Sequence, residues 1–222
     1  MPSEELPHIL VLISGTGTNL QALIDATHAS PRRIHAKITH VIANLSQKAK
    51  PGLERAHKAG IPTTVRSLKS YKDQIPTKYP DAVIARQSYD ADLAHYVLRE
   101  IERPQLIVCA GWMHILATPF LAPMSAAGIP IINLHPALPG AFNGAHAIER
   151  AYTAFKEGQI TKTGVMIHYV IEQVDEGEPI VVREIEMREG ESLGDLEERI
   201  HQVEHEAIVE GTNKALATLA KR

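Results

Sequence analysis

The chain has 222 residues, of which 44% are hydrophobic and 22% are charged, as is usual for a globular protein. Its 23 basic and 26 acidic residues give a formal net charge of -3, which disfavours a protein whose main partner is a nucleic acid. The single cysteine, Cys109, excludes an internal disulfide and favours a reducing compartment.

The first apolar run, HILVLIS over residues 8–14, has no basic segment before it. Secretory signal peptides carry such a segment, and a membrane-spanning helix needs a much longer apolar run than any in this chain. We therefore expect a cytoplasmic protein with no membrane partner.

Strand-like and helix-like patterns alternate along the first part of the chain. The strand-like segments are 8–14, KITHVIAN, a short PTTVRS, PQLIVCAG and IPIINLHP, and the helical ones are TNLQALIDATH, PGLERAHKAG and residues 88–102. Continuous apolar strands are typical of parallel sheets covered on both faces, so the pattern predicts an α/β, doubly wound, mostly parallel sheet. The polar, proline-broken segment 67–80 is predicted to be a surface loop.

The pattern changes after about residue 144, where a helix (AHAIERAYTAF) precedes two more strand-like segments. GVMIHYVIE and EPIVVREIEM are separated by a DEG turn, which predicts an antiparallel hairpin at the C-terminal edge of the sheet. A long final helix is predicted over 191–219 because apolar residues recur there at three- and four-residue spacing. With no linker in view, we expect residues 1–222 to form a single domain.

A glycine-containing turn, ISGTGTNLQ, follows the first strand and opens the first helix. Gly15 and Gly17 permit a tight turn, and the helix N-terminus offers free N–H groups to an anion. Leu20 stands where a dinucleotide fingerprint requires glycine, and Asn44 ends the second strand where a ribose-binding acid is expected. Two interpretations stay open: a phosphate site assisted by Thr18 and Asn19, or a plain strand–helix turn with Thr18 as N-cap.

Asn133 and His135 end the strand IPIINLHP, at the rim where open α/β sheets bind ligands. Side chains alternate along a strand, so both point to one face, and Pro136 keeps His135 extended. An amide and an imidazole together suit a reaction that develops negative charge on a carbonyl oxygen. Asp175, after the next-to-last strand, is the best-placed carboxylate to orient the imidazole.

Structural roles remain open for two of these residues. Asp175 would serve equally as a turn residue, and His135 as a hydrogen-bonded histidine at a strand end. The chain contains no GxSxG, HExxH or CxxC motif, so no nucleophile elbow or metal-ligand spacing is indicated.

The sequence resembles the phosphoribosylglycinamide formyltransferase family over nearly its whole length, and most of all the fungal, single-function members. The resemblance is carried by LISGTGTNLQALIDA, GLERAHKAGIP, CAGWMHIL, INLHPALPG, GVMIHYVIEQVDEGEPI and VEHEAIVEG, in this order and spacing. It implies one formyltransferase domain that moves a formyl group from the co-substrate 10-formyltetrahydrofolate to the amine of glycinamide ribonucleotide. It also implies small-molecule substrates, no metal, no nucleic acid, and a monomer or weak homodimer.

The resemblance implies roles for the three rim residues. Asn133 would bind the formyl oxygen, and protonated His135 would stabilise the oxyanion and act as acid. Asp175 would hold the charge of His135 and assist proton removal from the attacking amine, through water.

Binding residues are implied in the same way. The ribonucleotide would be held by Gly17, Thr18 and Asn19 at its phosphate and by Glu204 elsewhere. The folate would contact Met113, His114, Ile115, Leu116, Asn133, Ile171, Glu172, Gln173, Val174 and Asp175. Arg86 would lie near an anionic group, either the phosphate or the folate glutamate. His114 stands where bacterial relatives often carry arginine, and the segment 136–146 differs from the bacterial form.

Other functions are weaker alternatives. Methionyl-tRNA formyltransferases and formyltetrahydrofolate hydrolases share the Asn-x-His core, but we would expect a further C-terminal domain in the first and an N-terminal regulatory domain in the second. A dinucleotide-dependent dehydrogenase is opposed by Leu20 and Asn44. A non-catalytic binding module would leave the combination of Asn133, His135 and Asp175 unexplained.

Overall fold

A computed structural model of the protein describes residues 5–44 and 47–221. Within these ranges the strands are β1 (His8–Ile13), β2 (Lys37–Ala43), β3 (Thr63–Val65), β4 (Leu106–Cys109), β5 (Ile131–His135), β6 (Lys162–Tyr169) and β7 (Pro179–Glu186). The helices are α1 (Thr18–His28), α2 (Lys50–Lys58), α3 (Leu68–Lys72), α4 (Ala82–Arg99), α5 (Thr118–Ala126), α6 (Ala147–Lys156) and α7 (Leu193–Leu219).

The seven strands form one sheet in the order β3-β2-β1-β4-β5-β6-β7. The first five strands of this order run parallel, whereas β6 is antiparallel to both β5 and β7. The predicted fold class is therefore confirmed: a mostly parallel, doubly wound sheet with an antiparallel C-terminal edge and a long C-terminal helix.

Two apolar layers cover the sheet, one on each face. On β1, Ile9 and Val11 pack with residues of α1 and α7, whereas Leu10 and Leu12 pack with residues of α4 and α5. Each of these four side chains is fully buried. Burial on both faces explains why β1 is a continuous apolar run rather than an alternating one.

Helix α5 is not predicted by the sequence pattern, and α4 begins six residues earlier than the prediction, at Ala82 rather than 88. The early start of α4 has a local cause: Asp81 Oδ1 accepts hydrogen bonds from the N–H groups of Val83 and Ile84, at 2.8 and 2.9 Å. α5 contains prolines and lacks an amphipathic period, so its sequence gives no helical signal.

Two connections also differ from the predictions. The predicted surface loop 67–80 contains the short helix α3, whose first turn is capped by Ser67. Strands β6 and β7 are paired as predicted, but residues 170–178 connect them, a longer segment than a DEG turn. This longer connection matters because it carries Asp175.

Among the described residues, no helix combines the length and the apolar character that crossing a bilayer would require.

Candidate active site

The carboxyl end of β5 supplies the first two side chains of the site. Ile132 and Leu134 of β5 pack in the layer that includes α1 and α7, and Ile131 packs in the opposite layer. Alternation therefore places Asn133 and His135 on one face, as predicted, and both line the same cavity.

Asp175 reaches this pair from the connection between β6 and β7. Its Oδ2 lies 3.3 Å from His135 Nδ1 and accepts the Gly144 N–H at 2.8 Å. Its Oδ1 accepts from Asn133 Nδ2 at 3.3 Å. The backbone of Asp175 is left-handed, with φ of 59°, a conformation unfavourable for most residues other than glycine. The structure thus brings together the three residues that sequence reasoning chose.

His168 is a fourth member of the cluster that sequence reasoning missed. It lies directly opposite Asn133 in the β5–β6 ladder, and its Nε2 is 3.2 Å from Asn133 Nδ2 and 3.4 Å from Asp175 Oδ1. Its Nδ1 is 2.9 Å from the carbonyl oxygen of Tyr169, which can only accept, so Nδ1 carries a proton. The β6 sequence contains His168, but only the strand register shows that it faces Asn133.

The orientation of the Asn133 amide follows from these neighbours. The Asp175 carboxylate can only accept a hydrogen bond, so the nitrogen of the amide, not its oxygen, must face it. The same nitrogen faces His168 Nε2, which accepts when the imidazole is neutral. Asn133 is therefore fixed as a hydrogen-bond donor at the cavity wall.

Burial and charge oppose each other at the two titratable members of the site. Burial alone would raise the pKa of Asp175, but hydrogen bonds with His168 and the Gly144 N–H hold the pKa below its ordinary value. Burial lowers the pKa of His135, and the neighbouring Asp175 carboxylate and the Ala141 carbonyl offset this only in part. These shifts favour an ionised Asp175 beside a neutral His135 in the free protein, and the catalytic role of protonated His135 stays a prediction.

The cavity in front of these residues has a volume of about 380 Å³, and its two ends differ in polarity. One wall is largely apolar, and the predicted folate residues along it are Met113, His114, Ile115, Leu116, Ile171 and Val174. At the other end, the predicted ribonucleotide residues Thr18, Asn19 and Glu204 line it. The catalytic cluster lies in the same cavity, so most of the predicted site converges on one space.

Four predicted binding residues do not line this cavity: Gly17, Arg86, Glu172 and Gln173. Arg86 and Glu172 line a neighbouring groove that shares Ile115 and Leu116 with the cavity, and Arg86 Nη2 donates to the Ile115 carbonyl at 2.5 Å. Gln173 is exposed on the 170–178 connection. Ligand contacts by these four residues, like those by the residues that line the cavity, stay predictions.

Gly17, not Thr18, is the N-cap of α1. Its backbone is left-handed, with φ of 75°, and no side chain caps the helix within the described part of the chain. A Cβ at Gly17 would lie 2.7 Å from the Cα of Gly52, so only glycine fits between the turn and α2. The alternative of a Thr18-capped turn is therefore wrong, and the first N–H groups of α1 have no side-chain cap.

Asn19 and Glu204 form a buried polar pair beside this turn. Asn19 Nδ2 donates to Glu204 Oε2 at 3.0 Å, across 185 positions of sequence. Burial raises the pKa of Glu204, although the hydrogen bond from Asn19 and the proximity of His201 counter this. Asn19 Oδ1 is buried with no hydrogen-bond partner among the described residues, so a ligand that donates a hydrogen bond would satisfy it.

His114 lies in the apolar wall and is fixed by contacts with residues behind that wall. Its Nε2 lies 2.6 Å from Oδ1 of Asp90, which is fully buried, and the rings of Tyr89 and Trp112 meet it edge-on. The main chain of Met113 is fixed as well, since its N–H donates to Ser14 Oγ at 2.7 Å. The 112–116 segment therefore presents a fixed surface to the cavity.

Cys109 also lines the cavity but does not offer a nucleophile. Burial raises the pKa of its thiol to about 12, so the reactive thiolate does not form near neutral pH. Within the described residues, no group of three or more His, Cys, Asp or Glu side chains is arranged to hold a metal ion.

Comparison with known proteins points to one enzyme family. Residues 7–212 match the formyl transferase family. The chain is 49% identical to the phosphoribosylglycinamide formyltransferase of Schizosaccharomyces pombe over 94% of its own length and 96% of the relative's. It is 46% identical to the Saccharomyces cerevisiae enzyme of the same name, over 97% and 100% of the two chains.

Solved structures are similar as well. The fold matches glycinamide ribonucleotide transformylase 1 from Symbiobacterium toebii with a TM-score of 0.75 and 31% identity, over 95% of this chain and 88% of the other. It matches phosphoribosylglycinamide formyltransferase from Bacillus halodurans with a TM-score of 0.78 and 25% identity, over 96% of each chain. The chain therefore belongs to the formyl transferase family of enzymes, with the phosphoribosylglycinamide formyltransferases.

Proposed function

We propose that the protein transfers the formyl group of 10-formyltetrahydrofolate to the amine of 5′-phosphoribosylglycinamide in de novo purine biosynthesis. The observation that carries this proposal is the convergence of Asn133, His135 and Asp175 in one cavity, between a helix N-terminus and an apolar wall. We further propose that residues 1–222 act as one cytoplasmic domain, as a monomer or weak homodimer, on small molecules and not on nucleic acid or membranes.

The ribonucleotide is assigned to the end of the cavity near α1. Its phosphate would accept hydrogen bonds from the N–H groups that follow Gly17, with Thr18 and Asn19 beside it. Glu204 and the unpaired Asn19 Oδ1 would accept hydrogen bonds from hydroxyl or amide groups. This placement directs the amine toward the Asn133–His135–Asp175 cluster.

The folate is assigned to the apolar wall. A pterin ring has flat apolar faces and polar edges, and the wall combines exposed side chains with main-chain groups of residues 112–116. Met113 and Ile115 are 62% and 49% exposed without a ligand, and a bound ring would cover them. The formyl group would then lie next to Asn133.

The chemistry follows from where charge develops. The amine lone pair attacks the formyl carbon, a C–N bond forms, and the carbonyl oxygen becomes an oxyanion. Asn133 Nδ2 can donate to that oxygen, in place of one of the two acceptors that it faces in the free protein. Loss of one amine proton and breakage of the bond to N10 then complete the transfer.

The favoured resting state of His135 suggests how that proton moves. Neutral His135 can take the amine proton, directly or through water, because the ionised Asp175 beside it stabilises the resulting imidazolium. Protonated His135 then donates to the oxyanion and finally supplies the proton that N10 needs as it leaves. Asp175 holds the charge and orients the ring throughout.

The direct test is a formylation assay with purified protein, 10-formyltetrahydrofolate and 5′-phosphoribosylglycinamide, with no added metal. We expect formylated ribonucleotide and tetrahydrofolate in equal amounts, and no formylation of methionyl-tRNA supplied as a competing acceptor. Formate release without a formylated product would instead indicate a hydrolase. Failure to turn over any acceptor would overturn the proposal.

A further inference from the structure

The segment 136–146, which joins β5 to α6, contributes main-chain groups to the catalytic cluster. The Gly144 N–H donates to Asp175 Oδ2 at 2.8 Å, and the Ala141 carbonyl oxygen lies 3.4 Å from His135 Nε2. The two groups that we assign to proton transfer are thus each in contact with this segment. Its conformation therefore helps to set the geometry of the pair.

This conformation is intrinsically unfavourable. Phe142 and His146 both have left-handed backbones, with φ of 52° and 59°, although neither is glycine. Such residues cost on the order of 1–3 kcal/mol each and persist only where surrounding contacts hold them. The segment consequently needs an external support.

Arg150, one turn into α6, provides contacts of the required kind. Its Nη2 donates to the carbonyl oxygen of Phe142 and to that of Asn143, the latter at 2.7 Å. Its guanidinium also lies over the Phe142 ring, 5.8 Å from the centroid. The side chain therefore joins α6 to the part of the segment between Ala141 and Gly144.

We propose that Arg150 is a positioning residue for formyl transfer. By holding the Phe142 and Asn143 carbonyls, it fixes the Ala141 carbonyl on one side and the Gly144 N–H on the other, where they contact His135 and Asp175. Arg150 does not itself touch a reacting atom. The inference rests on the proposed roles of His135 and Asp175.

The guanidinium suits this task better than an ammonium group would. Its rigid planar fork presents several N–H donors in fixed directions, so one side chain can hold two neighbouring carbonyls in a defined relation. A lysine at this position would keep the positive charge but lose the fork. Comparing the two side chains separates geometry from charge.

Because Arg150 is positively charged, the pKa of His135 provides a second measurement of its role. Burial is the main cause that lowers the pKa of His135, and the positive charge of Arg150 and the nearby His168 lower it further, whereas Asp175 and the Ala141 carbonyl raise it. His168 faces His135 from β6, Arg150 from α6 and Asp175 from the 170–178 connection. Removing the charge of Arg150 should thus move the pKa of His135 upward, whereas substitution by lysine should leave it nearer the wild-type value.

The experiment compares Arg150→Met and Arg150→Lys with Arg103→Met. Arg103 is a matched control because its Nη2 also donates to a carbonyl, that of Ala127 at 2.6 Å, near the start of β4 and away from the site. Misplacing catalytic groups lowers turnover steeply, so we expect kcat to fall about ten- to a hundredfold in both Arg150 variants. The KM of each substrate should stay within about threefold, because neither binding end is altered.

Two further measurements distinguish a positioning role of Arg150 from other causes of lower activity. Hydrogen exchange at the Gly144 amide should become faster in the Arg150 variants and stay unchanged in Arg103→Met. The pH–rate limb assigned to His135 should move upward in Arg150→Met more than in Arg150→Lys. A folded Arg150→Lys protein with wild-type kcat and wild-type Gly144 exchange would overturn the inference, as would failure of both Arg150 variants to fold.

Failure of this inference is distinguishable from failure of the proposed function. His135→Asn and Asp175→Asn are measured in the same assay. If both lose activity while the Arg150 variants keep it, only the positioning role is wrong. If His135→Asn and Asp175→Asn remain fully active, the proposed roles of the pair are wrong as well.

Discussion

Asn133 on β5 and His168 on β6 are directly opposed residues of one antiparallel ladder, with Asn133 Nδ2 3.2 Å from His168 Nε2. Because the other nitrogen of His168 is bound to the Tyr169 carbonyl, the imidazole cannot easily turn away from the amide. A donor that must be ready for an oxyanion is thus oriented by its neighbour before any substrate arrives.

Replacing Asn133 with alanine should remove the proposed oxyanion donor. Loss of one such donor usually lowers kcat by about 10²–10³-fold, and we expect this range for Asn133→Ala. Steady-state kinetics with both substrates would measure it. A loss below about threefold would take Asn133 out of the oxyanion role.

Substitution of Asp175 by asparagine should change the pH–rate profile as well as its height. The Asp175 carboxylate raises the pKa of His135 against the dominant effect of burial, so removing this charge should lower that pKa further. The limb of the profile that reports His135 should therefore move to lower pH, with a lower maximal rate. An unchanged profile would leave Asp175 as a turn residue only.

Glu204→Gln should weaken binding of the ribonucleotide and leave folate binding unchanged. Glu204 is only 4% exposed and is bound by Asn19, so a change there alters the end of the cavity near α1. We expect the KM of the ribonucleotide to rise about tenfold, the equivalent of 1.4 kcal/mol. Glu206→Gln is the matched control, since Glu206 lies on the same helix, is exposed and contacts Arg33. Equal effects in the two variants would contradict the assignment.

Gly17→Ala should destabilise the protein more than Gly60→Ala does. Both glycines have left-handed backbones, with φ of 75° and 70°, so both variants bear the same type of backbone strain. At Gly17 the added Cβ would also lie 2.7 Å from the Cα of Gly52, whereas at Gly60 it meets no atom within 4 Å. Because of this additional close contact, we expect Gly17→Ala to lose about 1–3 kcal/mol of unfolding free energy beyond the loss in Gly60→Ala, measured by denaturant titration. Equal losses would mean that α2 moves aside at little cost.

His40 should make stability depend on pH at a position far from the catalytic cluster. Burial lowers the pKa of His40, so the unfolded chain binds this proton more tightly than the folded protein does. The contribution of neutral His40 to the free energy of unfolding is complete above the unfolded pKa of about 6.5 and is lost as the pH falls below that value. The values pH 7.5 and pH 5 lie on either side of the unfolded pKa of about 6.5. The Tm should therefore change less between these two pH values in His40→Gln than in the wild type. Equal pH dependence in the two proteins would contradict a lowered pKa.

Sequence reasoning predicted the sheet well because its parallel strands are buried on both faces. Segments such as His8–Ile13 and Leu106–Cys109 are almost wholly apolar, and few structures other than a covered strand fit such short runs. Helix Thr118–Ala126 was missed for the opposite reason. Its two prolines and its nearly uniform apolar character leave no helical period, and its position is set by packing of Phe120 and Met124 on the sheet.

The site shows the same contrast between features that a local sequence pattern predicts and features that depend on tertiary structure. The spacing of Asn133 and His135 follows from strand alternation, so the sequence alone was enough to pair them. The contacts of His168 and Gly144 depend on strand register and on a left-handed segment, and both are tertiary features. Asp175 was found from its place after a strand, but its contact distances required the structure.

The buried thiol of Cys109 has a practical consequence for spectroscopy. It is the single cysteine of the chain, and with its pKa raised to about 12 it should resist alkylating dyes in the folded protein. An exposed cysteine introduced by Ile171→Cys, on the connection that carries Asp175, would then be labelled alone. The native sequence is thus already suited to fluorescence or spin-label measurements of how this connection responds to folate.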